Sequence, residues 1–353
     1  MDYNVVFITD GNYYVPTVVA IQSLIDSQPS NNKKYCIHVM YKDLSEKQVS
    51  LVKGMQTECF AINMIDVAEK YEMLNLNKLS SHSCTAKASA LLKFEIADIF
   101  SDLDIILYLD GDIVVKGDIS YVFEVELQGN YVGGVRDCGV ATYGRKAYEH
   151  LNLNFEKYIN SGVMILNLKR IREDNLREKL YEVKYKSGDK TKMDQNVFNV
   201  VFNDQIVLLP AKYNCTFPNN YLEHCYGNLE IEVLNKVYGE NYESWKEVYE
   251  NALIIHYCAP IKPWRYSDAI LSKYWDEIFK RTPLSNKILQ KRNRIHLNLL
   301  IKFCRGSRSA LIVRTMIHLK TRGLSSTLKK VKKRIQNSLS RKPQNKCNKN
   351  WRM

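Results

Sequence analysis

The chain of 353 residues carries a formal charge of +13, and this charge is unevenly distributed. Residues 1–280 contain 30 basic and 38 acidic side chains, whereas the stretch from Arg281 onward contains 21 basic side chains and no acidic one. Nine cysteines without a Cys-x-x-Cys pair argue against a disulfide framework or a zinc site, and no apolar run reaches the ~18 residues that a membrane span needs. We therefore expect a reduced, cytoplasmic protein without a signal leader.

The change in charge at residue 281 also predicts the domain organisation. We expect one globular domain over residues 1–280, which is long enough to bury a full α/β core. A basic helical extension is expected over residues 281–340, and residues 341–353 are expected to be disordered.

Compact apolar runs alternate with helical segments in the first part of the chain. Residues 5–8, 35–40 and 59–65 are predicted strands. A helix is expected to begin near Pro16, and Ser45 opens another through a capping-box pattern. This alternation predicts a mostly parallel sheet with helices on both faces.

The polar turn after the first strand contains Asp10 and Asn12. A strand, a polar turn and a helix in succession are typical of a nucleotide site. The alternative is that both side chains only shape the turn, which Asp and Asn commonly do.

Two carboxylates interrupt the apolar run over residues 105–115. In extended chain Asp110 and Asp112 point to the same side, and Gly111 between them allows another group to approach the backbone closely. Two close anions repel each other, and a hard divalent cation such as Mg²⁺ or Mn²⁺ removes the repulsion. The alternative is a loop with two solvated acids.

A predicted helix over residues 85–100 precedes the acidic pair. Lys93 lies near its polar side, where it meets either phosphate or only water. The apolar face of this helix is formed by Ala88, Leu91, Leu92, Ile96 and Ile99.

Four further polar residues lie at the ends of predicted strands and helices. Asn160 and Ser161 precede a strand and indicate either a tight turn or a sugar contact. Asp194 opens a helix and is either an N-terminal cap or a functional acid. His256 ends the last strand and is a candidate third metal ligand that suits Mn²⁺, although a lone His is often structural.

The remaining predicted elements are strands at 131–135, 162–168, 206–209 and 253–256, and helices at 169–186 and 193–202.

Four segments, in this order, resemble glycosyltransferase family 8, the retaining nucleotide-sugar transferases that include bacterial lipopolysaccharide galactosyl- and glucosyltransferases and glycogenin. The resemblance covers residues 3–275 and implies a Rossmann-like α/β fold of GT-A type, with a mostly parallel mixed sheet and helices on both faces. The segments are VVFITDGNYYVPTVVAIQSL, LDIILYLDGDIVVKGDI, YINSGVMILNLKR with MDQNVFN, and IIHYCAPIKPW.

The resemblance implies a hexosyltransferase that moves galactose or glucose from a UDP-sugar to a glycan acceptor of a cell-surface polysaccharide. Mn²⁺, with Mg²⁺ as the alternative, would neutralise charge on the leaving UDP. Gln195 is a poor nucleophile, so we favour attack on the face that UDP leaves over a covalent intermediate. In that route Gln195 and Asp194 stabilise the sugar cation, and the leaving phosphate accepts the acceptor's proton.

The resemblance also implies roles for individual residues. Asp110, Asp112 and His256 would bind the metal, and Gln195, Asp194 and Asp137 would act at the reacting centre. Asp10 and Asn12 would hold uridine, Lys262 the diphosphate, and Asn160 the donor sugar together with Asp194 and Gln195. The implied donor and cofactor set is Ile8, Asp10, Asn12, Lys93, Asp110, Gly111, Asp112, Asn160, Ser161, His256, Ala259 and Lys262.

Two positions depart from the family pattern. Ala259 stands where the family usually has Gly, and its methyl group could crowd a backbone contact to phosphate. Lys93 stands where the family usually has Arg. A lysine keeps the positive charge but cannot make the bidentate contact of an arginine.

Two other functions are consistent with parts of the sequence. A haloacid-dehalogenase-type phosphatase also carries Asp-x-Asp-x-Val, which residues 110–114 match, and Gly188-Asp189 followed by Asp194 imitates its later motif. That family places Asp-x-Asp after its first strand, however, whereas three strands precede it here. Nucleic-acid binding by the basic tail is disfavoured because the tail has few aromatic residues and the body is acidic.

The basic extension has apolar residues at helical spacing among its Lys and Arg side chains. Basic amphipathic helices bind anionic membrane surfaces, so we expect a peripheral protein on the inner face of the cell membrane, where a lipid-linked acceptor is available. The alternative is that these helices pack on the acidic body. The apolar positions are Leu284, Ile288, Ile295, Leu299, Phe303, Leu311, Ile312, Ile317, Leu319, Leu324, Leu328, Val331 and Ile335.

Overall fold

The computed structural model describes residues 3–28, 33–76, 88–142, 144–151, 153–187, 194–285, 292–296, 312–321 and Thr327. The predicted Gly188-Asp189 motif and residues 341–353 lie outside these ranges. So do Ile288, Leu299, Phe303, Leu311, Leu324, Leu328, Val331 and Ile335 of the predicted membrane face.

Nine strands form two sheets in the described part of the chain. A seven-stranded sheet has the order β3-β2-β1-β4-β7-β6-β8, and β5 pairs with β9 in a separate two-stranded sheet. The strands are β1 (Tyr3–Thr9), β2 (Tyr35–Tyr41), β3 (Phe60–Asp66), β4 (Ile105–Leu109), β5 (Ile113–Val115), β6 (Val132–Arg136), β7 (Ile159–Asn167), β8 (Ile206–Leu208) and β9 (Ile254–His256).

The helices connect these strands and cover the sheet. The α-helices are α1 (Tyr14–Ser27), α2 (Glu46–Lys53), α3 (Ala68–Met73), α4 (Ile96–Ile99), α5 (Cys138–Ala141), α6 (Leu168–Glu173), α7 (Leu176–Ser187), α8 (Asp194–Phe202), α9 (Phe217–Cys225), α10 (Ile231–Tyr238), α11 (Trp245–Glu250), α12 (Ser272–Phe279) and α13 (residues 312–321). Short 3₁₀ helices cover Ala88–Glu95, Ser120–Glu124, Arg145–Ala147, Glu149–Leu151 and Ala211–Tyr213.

Apolar packing on both faces of the large sheet holds these layers together. Successive residues of a strand point to opposite faces, so Val5 and Phe7 of β1 join one buried cluster while Val6 and Ile8 join another. Burial on both faces explains why residues 5–8 of β1 form an unbroken apolar run. The predicted α/β fold with a mixed, mostly parallel sheet is confirmed.

Strand β7 runs antiparallel to both of its neighbours, β4 and β6. Its first residues therefore lie beside the carboxyl end of β4, and the backbone N–H of Asp110 donates to the carbonyl of Gly162 over 2.8 Å. Asn160 and Ser161 belong to this strand, so of the two alternatives for these residues the tight turn is wrong. The strand begins earlier because Ile159 already pairs with Arg136 of β6.

Two predicted elements are divided in the structure. The run over residues 105–115 splits into β4 and β5, because the chain turns at the acidic pair and β5 pairs with β9. The helix predicted over residues 169–186 breaks between α6 and α7, where Asn175 has a left-handed backbone with φ of +52°. An Asn tolerates this conformation better than most residues do.

The described parts of the basic extension pack on the body. Ile295, Val313 and Ile317 are buried in a cluster with Leu222 and Tyr266, so the expectation that Ile295 and Ile317 face a membrane is wrong. Leu284, predicted on the same face, is also buried, at 3% exposure. No helix in the described ranges is long and apolar enough to cross a bilayer.

Candidate active site

A cavity of about 390 Å³ opens at the edge of the large sheet where β1 and β4 end and β7 begins. Because parallel strands end at one edge, their last residues converge there with the loop after β9. The predicted site residues that line it are Ile8, Asp10, Lys93, Asp110, Gly111, Asp112, Asn160, Ser161, Asp194, Gln195, His256, Ala259 and Lys262.

Two carboxylates and one imidazole that line this cavity lie close together. Candidate ligand atoms of Asp110, Asp112 and His256 all lie within 4.8 Å of one another. Nε2 of His256 is 3.2 Å from Oδ1 of Asp112 and 3.7 Å from Oδ2 of Asp110. The two acids converge through the turn between β4 and β5, and not through extended chain as the sequence predicted.

This donor set fits a divalent cation. Carboxylate oxygens suit Mg²⁺ and Mn²⁺, and a neutral imidazole shifts the preference toward Mn²⁺. Burial raises the pKa of Asp112, but the charge of Lys262 and the contact with His256 outweigh burial and hold that pKa well below its usual range. Asp112 is therefore anionic at neutral pH, as a metal ligand must be.

Gly111 allows helix α1 to approach the acidic turn. A Cβ at this position would lie 2.3 Å from Oγ1 of Thr17, so a larger residue would displace the helix or the turn. The close approach expected of Gly111 is therefore made by a side chain of α1. Ala259 also lines the cavity, is buried and packs with Ile261 and Tyr266.

A buried lysine, Lys93, and a half-buried one, Lys262, bring positive charge to the cavity. Nζ of Lys262 donates to Oδ2 of Asp112 over 2.7 Å, and Nζ of Lys93 lies 3.1 Å from Oδ1 of Asp110 and 2.7 Å from Oδ2 of Asp194. Lys93 is only 5% exposed, so the alternative in which it meets only water is wrong. Burial lowers the pKa of Lys93, but Asp110 and Asp194 outweigh it and raise that pKa, so the ammonium stays charged.

Asp194 belongs to the first turn of α8, and its carboxylate binds other elements. Oδ2 accepts hydrogen bonds from Lys93 and, over 2.9 Å, from the hydroxyl of Ser161. It therefore links α8, the 3₁₀ helix Ala88–Glu95 and the start of β7.

Amide side chains form the wall beside β7. Nε2 of Gln195 donates to Oδ2 of Asp137 over 3.0 Å, and Nδ2 of Asn160 donates to Oε1 of Gln195 over 3.0 Å. The other oxygen of Asp137 caps α5 by accepting from the backbone N–H of Val140. Asp137 does not line the cavity, and it reaches the site only through these amides.

The turn after β1 shows which of its residues face the cavity. Oδ1 of Asp10 accepts from the backbone N–H groups of Asn12 and Tyr13, and Oδ2 accepts from Ser89. Asp10 thus shapes the turn and also lines the cavity, whereas Asn12 is exposed and does not line it.

Several lining residues were not predicted. Tyr13 follows the polar turn, and its ring centroid lies 5.8 Å from that of Trp264. Burial raises the pKa of the Tyr13 hydroxyl to about 12, although the charge of Lys262 opposes this shift. The hydroxyl of Tyr108 donates to Oδ1 of Asp110 over 2.6 Å. Tyr13 could have been found as an aromatic residue beside a nucleotide-like turn, but no local signal marks Tyr108.

The chain is similar to known glycosyltransferases over most of its length. The model of glycosyl transferase family 8 matches residues 4–268. A lipopolysaccharide 1,2-glucosyltransferase of Escherichia coli is 27% identical over 290 residues, which cover 80% of both chains. A lipopolysaccharide 1,3-galactosyltransferase of Salmonella typhimurium is 25% identical over 294 residues, again 80% of both chains.

A solved structure shows the same fold. The galactosyltransferase LgtC, solved in complex with donor and acceptor sugar analogues, is similar with a TM-score of 0.66 at 21% identity, over 79% of this chain and 96% of that one. This similarity confirms the predicted GT-A-type fold. The family match selects the glycosyltransferase interpretation of the Asp-x-Asp pair over the phosphatase one. The chain belongs to glycosyl transferase family 8.

Proposed function

We propose that this glycosyltransferase is a retaining, Mn²⁺-dependent hexosyltransferase that uses UDP-glucose or UDP-galactose. The observation that carries the proposal is the convergence of Asp110, Asp112 and His256 with Lys93 and Lys262 in one cavity. A divalent cation and two lysines supply the positive charge that a diphosphate needs. The proposed acceptor is a glycan of a cell-surface polysaccharide, since the named relatives act on lipopolysaccharide.

The chain's own residues suggest how sugar transfer proceeds. A bound metal ion would neutralise charge on the leaving diphosphate. Lys262 would hold the diphosphate beside it, and the amide of Gln195, fixed by Asn160 and Asp137, would face the sugar. An amide so oriented stabilises a cationic sugar by its carbonyl dipole but is a poor nucleophile, which favours attack on the face that UDP leaves.

The function is tested by incubating the protein with a panel of nucleotide sugars and a saccharide acceptor. We expect UDP release from UDP-glucose or UDP-galactose with Mn²⁺, retention of anomeric configuration in the product, and loss of the reaction with EDTA. UDP should raise the melting temperature more than ADP or GDP does. Equal protection by all three nucleotides, or transfer in the presence of EDTA, would contradict the proposal.

We further propose that the basic extension holds the enzyme on an anionic membrane surface on the cytoplasmic side. Helix α13 buries Val313 and Ile317 against the body, but it exposes Ile312, Met316 and Leu319 at 61%, 42% and 41%. These three residues follow i, i+4, i+7 spacing and form one apolar stripe. The stripe belongs to the extension that carries 21 basic side chains, which supports contact with anionic lipid.

A further inference from the structure

We propose that Asn214 is a positioning residue that joins the metal side of the cavity to its sugar side. It follows the 3₁₀ helix Ala211–Tyr213 and is 1% exposed, and its amide bridges His256 and Asn160. No local pattern marks Asn214, because it is remote from both partners along the chain. The inference rests on the proposed metal-dependent transfer.

A backbone group fixes the orientation of both amides. The N–H of Gly162 donates to Oδ1 of Asn160 over 3.1 Å, and a backbone N–H can only donate, so this side of Asn160 is its carbonyl. Asn214 therefore presents Nδ2 to the same oxygen, at 2.9 Å. Its own carbonyl then faces Nδ1 of His256, also at 2.9 Å.

This orientation determines which nitrogen of His256 is available to a cation. Because the carbonyl of Asn214 only accepts, Nδ1 of a neutral His256 carries the proton. Nε2, which faces Asp110 and Asp112, then presents its lone pair toward both carboxylates. A hydrogen bond at the second nitrogen fixes the tautomer and the ring plane of a metal-binding histidine.

The same amide also supports the sugar side. With Oδ1 of Asn160 held by Asn214 and Gly162, its Nδ2 is directed to Oε1 of Gln195 at 3.0 Å and to Oδ2 of Asp137 at 3.4 Å. The bonds run continuously from His256 through Asn214 and Asn160 to Gln195. Rotation of any one amide would break a bond on each side of it.

The backbone next to Asn214 is fixed as well. The N–H of Cys215 donates to the carbonyl of Ile254 over 2.9 Å, and the N–H of His256 donates to the carbonyl of Cys215 over 3.0 Å. Asn214 and His256 therefore lie at the ends of two neighbouring backbone segments that these hydrogen bonds hold together. A shortened side chain at residue 214 cannot be compensated by movement of that backbone.

Two substitutions separate the two bonds of Asn214. Asn214→Ala removes both. Asn214→Asp has the same shape and keeps an oxygen that accepts from Nδ1 of His256, but it has no N–H to donate to Asn160. Asn220→Ala is the matched control: Asn220 is also a buried asparagine, 2% exposed, which donates to Thr216 outside the cavity.

Mn²⁺ affinity is measured by electron paramagnetic resonance titration, with and without UDP, beside the kcat and KM for the UDP-sugar that the wild type uses. We expect Asn214→Ala to weaken Mn²⁺ binding about tenfold or more and to slow transfer. Asn214→Asp should bind Mn²⁺ as wild type does and yet lower kcat by about tenfold, because Asn160 and Gln195 lose their support. Asn220→Ala should change neither quantity.

Wild-type Mn²⁺ affinity in Asn214→Ala would overturn the inference, as would equal losses of affinity in the Ala and Asp variants. Thermal unfolding is measured for each variant to test whether it is folded. If Asn214→Ala does not fold, the isosteric Asn214→Asp variant still tests the inference. Asp110→Asn separates this inference from the proposed function. Unchanged affinity in that variant would reject the metal site itself.

Discussion

The Cβ that Gly162 lacks would lie 2.2 Å from Cε1 of His256. It would also lie 2.8 Å from Oδ2 of Asp110, a distance that real Cβ atoms do not show. The carbonyl of Gly162 is at the same time bound to the backbone N–H of Asp110. Strand β7 thus contacts both candidate ligands, and only glycine fits between them.

We expect Gly162→Ala to displace the ring of His256 and to weaken Mn²⁺ binding and transfer about tenfold or more, as loss of ligand positioning does. The backbone cannot retreat, because its carbonyl holds Asp110. Mn²⁺ titration and UDP release measure both effects. Gly54→Ala is the control, since a Cβ there meets its nearest atoms at 3.4 Å. Undiminished Mn²⁺ affinity in Gly162→Ala would show that His256 is not a ligand.

We expect Asp110→Asn or Asp112→Asn to abolish metal-dependent transfer while the protein stays folded. Asp110→Asn is the cleaner variant, because Lys93 keeps its second partner Asp194, whereas Asp112→Asn also removes the charge partner of Lys262. UDP release with Mn²⁺ or EDTA and circular dichroism are the measurements. Asp118→Asn, whose carboxylate caps the backbone at Ser120, should remain active. Activity of Asp110→Asn equal to wild type would refute the metal role.

The carboxylate of Glu95 makes the free energy of unfolding depend on pH. It is fully buried and accepts from Lys70, Arg177 and Tyr181 at 2.9, 2.9 and 2.8 Å. Burial raises the pKa of Glu95, but these hydrogen bonds outweigh burial and hold that pKa below its usual value. The folded carboxyl therefore binds fewer protons than the unfolded one near pH 4. Its contribution is complete above the unfolded pKa and is lost as pH falls through the folded pKa.

We therefore expect Glu95→Gln to lower the free energy of unfolding by about 2 kcal/mol at pH 7. The difference from wild type should shrink as pH falls below about 4. Urea unfolding between pH 3 and 7 measures it. Asp98→Asn is the control, because Asp98 contacts the same Arg177 at 3.1 Å but is 43% exposed, and it should have little effect. A constant difference at all pH values would contradict this assignment.

Replacing Ile312, Met316 and Leu319 together by Ser should reduce binding to anionic vesicles, because it removes the exposed apolar stripe of α13. Co-sedimentation with vesicles of anionic and of neutral lipid, at low and high salt, measures the effect. Binding of the wild type should weaken with salt, since Lys and Arg contribute through the surface charge. The control replaces exposed apolar residues of the body, Met73 and Val233, by Ser. Equal binding of both variants would exclude α13 as the attachment surface.

Local sequence patterns indicated the strands buried on both faces and the position of the acidic pair. Unbroken apolar runs such as that of β1 predict strands buried on both faces, and Asp110 marks the end of one of them. The capping box of Ser45 and Gln48 is present as predicted. These features depend on residues close together in the chain, so periodicity and capping chemistry were sufficient to find them.

Only the tertiary structure decided the surroundings of the site residues. Lys93 is buried because the fold brings it to Asp194, 101 positions later in the chain, and Asn214 orients His256 across 42 positions. The antiparallel insertion of β7 places Gly162 against the acidic pair. The burial of Lys93, the tautomer of His256 and the ion pairs of the site all depend on which strands end at the same edge of the sheet. Packing of the whole chain brings these strand ends together, so no local sequence pattern indicates it.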